Sequence, residues 1–406
     1  MKKPTLFALV LFLLLFAILS ASEGSATCSI AGNVAVTSSS GADVSQDIYT
    51  AKNGEIYIAY IDSSATEGIL MFAKSIDGGE SFSTPMVVDA GNIDRHPRIE
   101  VFEAATNTVY ILFSRVSGTG NDVYLARSTD DGATFTILPV VTNQHCWDWA
   151  DLAVDTTGYI YVAYSDNLSG IYNVYMLVST DSGASFGSPF AVTATAWEEF
   201  GPVIAVRGAG ATSIAYVAYM DIQWDGSKNI RYRKIENAGG SPVITETVNV
   251  ARSSYEETIV PGGLAVACGD TAHIVYTYSN SPPHSTVIYK RIVGHYISTE
   301  VLTPFDSVNY NPTIDLDAYS NVFVVWTDAS SADTQAVLAI WEDTDPFSFR
   351  MFVNDTVPVA GNFSPAISIT REMYKRRVGI AWLDTRSGNI DVYASVRLQF
   401  RNGLQP

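Results

Sequence analysis

The stretch YIAYID at residues 57–62 is one copy of a motif that repeats along the whole chain. Each copy is an apolar run that ends in an aromatic residue, followed two positions later by a polar or charged residue. The copies end at Asp62, Arg115, Asp166, Asp221, Asn280, Asp328 and Asp384, with spacings of 53, 51, 55, 59, 48 and 56 residues. This regular spacing indicates a repeat protein.

A second motif keeps step with the first and lies 16 to 19 residues upstream of each copy. Its clear copies are Pro97-Arg98-Ile99, Pro202-Val203-Ile204, Pro312-Thr313-Ile314 and Pro365-Ala366-Ile367, and weaker copies begin at Gln46, Ala150 and Gly262. A proline fits the first residue of a strand because the missing N–H costs no ladder hydrogen bond there. Two motifs that remain in phase through seven copies are not a chance pattern.

Each repeat holds about four β-type runs separated by Gly, Asn, Asp and Ser, which is typical of a propeller blade. No segment has a sustained 3.6-residue apolar period, so we expect little helix. The sequence therefore predicts an all-β fold, a seven-bladed β-propeller of four-stranded antiparallel blades in one domain over 25–406, with six blades as the alternative. An N-terminal strand at 33–36 is expected to complete the last blade and close the ring, and RLQF at 397–400 is the other candidate for that strand.

Three segments share the pattern Ser-x-Asp-x-Gly-x-x-Phe, and we call them box turns. They lie in blades one to three, between the third and fourth strands, and their spacings of 53 and 51 residues match those of the blades. We expect the Asp to accept bonds from nearby backbone amides, the Gly to adopt a positive φ and the Phe to pack back into its blade. The pattern residues are Ser75, Asp77, Gly79 and Phe82, then Ser128, Asp130, Gly132 and Phe135, then Ser179, Asp181, Gly183 and Phe186.

The three box turns make the chain resemble the Asp-box, or BNR-repeat, superfamily of sialidase-like β-propellers. The resemblance implies the fold and not the chemistry, because such turns occur in sialidases and also in propellers with other activities or none. It also implies that the box turns lie on the face opposite the usual active site. Asp130 and Asp131 are therefore interpreted as turn residues.

The resemblance further implies what a retaining sialidase needs: three arginines for the substrate carboxylate, a Tyr nucleophile paired with Glu, and an Asp acid/base. The chain departs from that pattern, since His96-Pro97-Arg98-Ile99 lies in blade two and differs in order from the family's first arginine motif. Family sialidases also have six blades. Tyr255 beside Glu256 can mimic the nucleophile pair, but the arginines that can face the site do not fall at three matching positions: Arg95, Arg98, Arg115, Arg252 and Arg386. We assign no catalytic residue.

In a four-stranded blade, the loop entering strand one and the loop leaving strand two lie on the same face of the ring, which we call the strand-entry face. Three consecutive blades place an aromatic residue followed by an acid at the entry of strand one. Aromatic faces beside carboxylates suit sugar rings, and clustered carboxylates also suit Ca²⁺. The other interpretation is that the acids bond the backbone and the rings pack between blades. The predicted ligand-binding residues are Arg95, His96, Trp147, Asp148, Asp166, Trp197, Glu198, Tyr255 and Glu256.

The net charge, the N-terminal segment and the cysteines limit further the kinds of partner, location and site that the sequence allows. The formal net charge of −18, from 42 acids against 24 bases, argues against nucleic acid as a partner. Lys2 and Lys3 precede an apolar run at 6–19, which is shorter than the ~20 residues that span a bilayer, so residues 1–24 are predicted to be a signal peptide. Cys28, Cys146 and Cys268 allow at most one disulfide, whose pairing stays open, and they lack metal-ligand spacing.

The sequence thus favours a secreted or cell-surface monomer, with the periplasm as another location, that binds a glycan or a surface protein. No cofactor and no integral membrane segment after signal removal are expected, and Ca²⁺ stays a candidate. Two alternatives remain open. One is a sialidase-like glycoside hydrolase, or a lyase, using carboxylates on the strand-entry face, and the other is a structural envelope protein.

Overall fold

A computed structural model describes residues 29–30, 33–38, 42–63, 67–118, 120–222, 224, 226–252, 256–260, 262–267, 270–330, 334–342, 345–353, 364–370 and 375–400. The predicted signal peptide, Tyr255, Cys28 and Cys268 lie outside these residues. Within them the chain is nearly all β-strand, and its one helical element is a short 3-10 turn at Gly210–Thr212. No helix that could cross a membrane occurs in this described part.

The strands of the described chain follow one another in antiparallel sets. Two short strands come first, β1 (Ser29–Ile30) and β2 (Val34–Ala35). Set 1 contains β3 (Ala42–Thr50), β4 (Ile56–Ser63), β5 (Gly68–Ser75) and β6 (Met86–Asp89). Set 2 contains β7 (Asp94–Phe102), β8 (Thr108–Ser117), β9 (Gly120–Ser128) and β10 (Thr136–Cys146). Set 3 contains β11 (Asp151–Val154), β12 (Ile160–Asp166), β13 (Asn173–Ser179) and β14 (Phe190–Ala191).

The remaining sets repeat the same order. Set 4 contains β15 (Glu198–Arg207), β16 (Ile214–Ile222), β17 (Lys228–Glu236) and β18 (Val243–Ala251). Set 5 has a divided first strand, β19 (Glu256–Thr258) with β20 (Leu264–Ala267), then β21 (Thr271–Ser281), β22 (His284–Val293) and β23 (Tyr296–Val301). Set 6 contains β24 (Asn309–Leu316), β25 (Val322–Asp328), β26 (Gln335–Glu342) and β27 (Asp345–Phe352), and set 7 begins with β28 (Ala366–Ile369), β29 (Lys375–Asp384) and β30 (Asp391–Phe400).

The first strands of these sets contact one another in a closed circle, β3, β7, β11, β15, β20, β24 and β28, and β28 returns to β3. They surround a central cavity of about 440 Å³. Hydrophobic clusters fill the junctions between neighbouring sets, as where Phe72 of β5 packs against Ile99 of β7. Antiparallel sheets arranged radially around a central cavity form a β-propeller, which confirms the predicted all-β propeller fold.

Set 7 takes its fourth strand from the N-terminus. Val34 and Ala35 of β2 pair antiparallel with Ala394 and Tyr393 of β30, and the backbone N–H of Val36 donates to the carbonyl oxygen of Val392 at 2.8 Å. The RLQF segment continues β30, so it belongs to the third strand of this set. The N-terminal segment, rather than RLQF, therefore stands in the fourth-strand position of the set that closes the circle.

The box turns form the local hydrogen bonds that their sequence predicts. In the first turn, Ser75 Oγ donates to Asp77 Oδ1 at 2.7 Å, and the backbone N–H groups of Gly79 and Ser81 donate to Ser75 Oγ and Asp77 Oδ1 at 2.9 and 3.0 Å. The turns at 128–135 and 179–186 repeat these bonds. The Ser81 hydroxyl also donates to Asp77, and this bond, together with those from the Ser81 N–H and Ser75, holds the pKa of Asp77 at about 2. Ser75 pairs with Ile56, at the opposite end of β4 from Asp62, so the box turns lie on the face opposite the strand-entry face.

The box phenylalanines pack at the junction with the preceding set, and not only into their own blade as the sequence predicted. Phe135 of set 2 lies with its ring centroid 5.1 Å from that of Phe72 in set 1. The box glycines explain why the turn comes so close to its neighbour. Gly132 has φ +86°, and a Cβ there would lie 2.7 Å from the Phe72 ring.

Candidate ligand-binding face

A repeated backbone bulge lies near the start of the first strands, at the strand-entry end of the ring, which we call the mouth. The first strands of sets 1, 2, 4 and 6 each shift register just before the second sequence motif. At each bulge one residue adopts a left-handed conformation: Ser45 (φ 101°), His96 (51°), Gly201 (61°) and Asn311 (52°). Bulges re-aim side chains, and strained non-glycine residues cluster at functional sites. Sequence reasoning missed these bulges, although in sets 2, 4 and 6 the residue before the motif proline was the available signal.

A charged trio lies at the bulge of set 2. His96 Nε2 lies 3.1 Å from Asp148 Oδ2, and Arg95 Nη1 lies 3.5 Å from Asp148 Oδ1. The hydrogen bond with His96, together with the charges of His96 and Arg95, holds the pKa of Asp148 below its usual value. All three side chains are more than a third exposed. The structure therefore brings together three of the residues that the sequence predicted for this face.

An aromatic cluster adjoins this trio. The ring centroids of His96 and Trp149 lie 6.0 Å apart, and those of Trp149 and Trp147 lie 6.2 Å apart. Trp147 also packs on Tyr172 at 5.2 Å and on Phe200 at 4.7 Å. Among the described residues, neither indole N–H has a hydrogen-bond partner, and buried donors of this kind call for an explanation. Trp149 was not among the ligand-binding residues predicted from the sequence.

Glu198 has a structural contact that joins sets 3 and 4. Its Oε2 accepts the backbone N–H of Tyr172 at 2.9 Å, and the backbone N–H of Glu199 donates to the Tyr172 carbonyl oxygen at 2.9 Å. These bonds fasten the loop between β12 and β13 to the start of β15. Trp197, just before β15, remains 40% exposed.

Asp166 is less available to bind a ligand than the sequence predicted. Its two carboxylate oxygens accept bonds from the Asn143 side-chain amide and from the backbone N–H of Leu168. The residue is buried and holds the loop that leaves β12. Its position thus follows the interpretation in which acids bond the backbone at the strand ends.

Other polar residues at the strand entries are likewise buried in the fold. Asn309 Oδ1 accepts a bond from the Trp326 indole N–H at 3.0 Å. Burial raises the pKa of Glu199, and it raises that of Asp43 to about 7. Five polar side chains at the start of the first strands are buried: Asp43, Asp94, Glu199, Glu257 and Asn309.

Three of the five arginines considered for a substrate clamp form ion pairs with aspartates of the fold. Arg98 lies in the central cavity between Asp47 and Asp151, with N–O distances of 3.0 and 2.8 Å. Arg115 pairs with Asp89 and Asp94, and Arg386 pairs with Asp384. These three guanidinium groups therefore serve structural ion pairs in different parts of the ring.

Two of the predicted ligand-binding side chains lie outside the part of the chain that the structure describes. Tyr255 lies outside the described residues, as does the side chain of Glu256, whose backbone pairs with Lys228 and Ser279. Cys146 is a buried free cysteine. Within the described chain, no three His, Cys, Asp or Glu side chains are grouped so as to hold a metal ion.

Comparison with known proteins gives a likeness of fold. An ulvan lyase, from a new family of polysaccharide lyases, was solved bound to -[GlcA(1-4)Rha3S]-; it is 13% identical, with a TM-score of 0.62 over 89% of this chain and 95% of its own. A protein of unknown function from Dyadobacter fermentans is 12% identical, with a TM-score of 0.52 over 92% of this chain and 99% of its own. No family model and no curated protein matches the chain.

Proposed function

We propose that this chain is a secreted seven-bladed β-propeller that binds a glycan at the strand-entry mouth of its ring. The observation that supports the proposal is the contact between the charged trio Arg95, His96 and Asp148 and the aromatic cluster around Trp149. Sugars need this combination, because aromatic faces pack against ring C–H groups while charged and polar groups bond the hydroxyls. The left-handed backbone at His96 holds the trio toward the mouth.

The chemistry of the trio favours binding over cleavage of an anionic sugar. Asp148, whose pKa lies below its usual value, pairs with Arg95 and bonds the His96 ring, so it offsets the positive charge of Arg95. The arginines Arg98, Arg115 and Arg386 are paired with aspartates elsewhere. A sialic acid carboxylate would therefore meet little free positive charge at this mouth.

A glycan array with the purified protein and two variants tests the proposal. Wild-type protein should bind at least one glycan, and Trp149→Ala and Asp148→Asn should each weaken that binding at least tenfold. Trp341→Ala is the matched control, because Trp341 is a partly buried tryptophan paired with Val322 at the opposite face. Thermal melting of each variant verifies its fold.

Two results contradict this function. One is an array without any bound glycan, and the other is binding by Trp149→Ala and Asp148→Asn at the wild-type level. A panel of fluorogenic glycosides, including a sialoside, addresses the hydrolase alternative. Turnover of a sialoside that is lost on replacing Tyr255 would establish that alternative instead.

A further inference from the structure

Exposed tryptophans gather on one part of the strand-entry face. Trp197 is 40% exposed and Trp224 is 84% exposed. Glu198, which follows Trp197, pairs with Ile222, so both tryptophans lie at the same end of β15 and β16. Leu168, 68% exposed, lies in the neighbouring loop between β12 and β13. Exposed apolar groups of this size at one place on a surface mark an interaction site.

These tryptophans continue the aromatic cluster of the mouth. Trp149 contacts Trp147, and Trp147 contacts Tyr172. The backbone of Tyr172 is bonded to Glu198 and Glu199, which directly follow Trp197. These bonds place Trp197 next in sequence to residues that contact the cluster, and the aromatic residues from Trp149 to Trp224 mark a path across the strand-entry ends of sets 3 and 4. We call this path the aromatic track, defined as Trp149, Trp147, Tyr172, Trp197 and Trp224.

The charge of the surroundings selects among polymers. Carboxylates accompany the track at Asp148 and Glu198, and the bases at its inner end, Arg95 and His96, are already paired with Asp148. The whole chain has a net charge of −18. An anionic polymer would therefore be repelled, whereas a chain of neutral sugars offers C–H faces to the rings and hydroxyls to the carboxylates.

We propose that the aromatic track binds a neutral polysaccharide chain that runs from the mouth to the rim of set 4. This inference rests on the proposed glycan-binding function and adds that the ligand is a polymer and is uncharged. A single sugar ring at the mouth cannot also contact Trp224, because the track passes over two sets of strands. The outer tryptophans therefore serve only longer ligands.

Affinity electrophoresis in native gels tests this inference. The gels contain xyloglucan, galactomannan, mixed-linkage β-glucan or arabinan as neutral probes, and polygalacturonate as the anionic probe. Wild-type protein should be retarded by at least one neutral polymer and not by polygalacturonate. The double variant Trp197→Ala/Trp224→Ala should bind that polymer at least tenfold more weakly. Tyr296→Ala is the matched control, since Tyr296 is 85% exposed at the start of β23, on the opposite face.

A trisaccharide of the bound polymer separates the track from the mouth. Trp224→Ala alone should bind the trisaccharide as wild type does, whereas Trp149→Ala should lose affinity for both lengths. Polymer binding by the double variant at the wild-type level, with loss in Trp149→Ala, overturns the track and leaves the proposed function standing. Retardation by polygalacturonate alone overturns the neutral ligand. Failure of every polysaccharide to bind overturns both and turns the search to a protein partner for the same surface.

Discussion

Adjacent glycines in the first box turn show how single backbone positions join neighbouring blades. Gly78 and Gly79 both have positive φ, at +78° and +92°. A Cβ on Gly79 would lie 2.4 Å from a methyl group of Val396 in β30, whereas one on Gly78 would meet no atom within 4 Å. The two residues therefore share a positive φ, whereas only Gly79 lies in contact with set 7.

We expect Gly79→Ala to lower the free energy of unfolding by about 1–3 kcal/mol more than Gly78→Ala does, because it alone forces an added methyl into a packed junction. Denaturant unfolding of the two variants measures the difference, and Gly78→Ala supplies the cost of the strained φ by itself. Equal destabilisation would show that the turn does not pack against β30.

The first strands of sets 1 to 3 are tied by an ion-pair network at the element scale. Arg98 of β7 pairs with Asp47 of β3 and Asp151 of β11, which raises the pKa of the guanidinium. The same carboxylates also accept the backbone N–H groups of Ile99 and Ile204, at 2.9 and 3.0 Å. Each aspartate thus binds both a side chain and the backbone of a following set.

We expect Arg98→Ala to destabilise the protein by about 3–5 kcal/mol, because it leaves two buried carboxylates without their cation. Arg95→Ala is the control, since Arg95 is half-exposed with a single ion pair at 3.5 Å and should cost under about 1 kcal/mol. Thermal and denaturant unfolding of both variants provide the comparison. A small loss in Arg98→Ala would mean that water or a neighbouring base replaces the guanidinium.

The sequence predicted the strands and missed what depends on contacts between them. The YVAYSD copy at 161–166 is a strand because its apolar, β-branched and aromatic residues fit a buried central position, and that pattern is local. The partners of Arg98 are not local in the sequence, since Asp47 and Asp151 lie in two other repeats. The same holds for His96, whose approach to Asp148 depends on a bulge between two strands. The sequence predicted the box turns more completely, because their hydrogen bonds join residues of the same eight-residue segment.

The closure of the ring determines how the whole molecule responds to pH. Thr37, beside the N-terminal strand, donates to Asp43 and lies 3.3 Å from Asp391. Burial, with Asp62 and Asp391 adding to the effect, raises the pKa of Asp43 to about 7. Tyr60 faces the same acids, and its own pKa is raised by burial and by their charges. Three acids from the first and last sets therefore meet at the joint of the ring.

We expect the melting temperature to fall as pH rises from about 4 to about 7, because Asp43 stays protonated in the folded chain and ionises in the unfolded one. Asp43→Asn keeps an oxygen that accepts from Thr37 and should reduce that fall, while Asp94, whose pKa burial likewise raises to about 7, still contributes to it. Asp77→Asn is the control, since the pKa of Asp77 is about 2 and lies below the tested range. Melting curves from pH 4.5 to 8.5 test this, and an unchanged slope in Asp43→Asn would contradict it.

The pairing of β2 with β30 also determines the order in which the protein can fold. Thr37 and Asp391 are separated by 354 positions in the chain, so the first strand has no partner until nearly all of the protein has been synthesised. Contacts of such long sequence separation form late and slowly. The final docking of β2 should therefore be the slow step of folding, and until it occurs the ring stays open between sets 7 and 1.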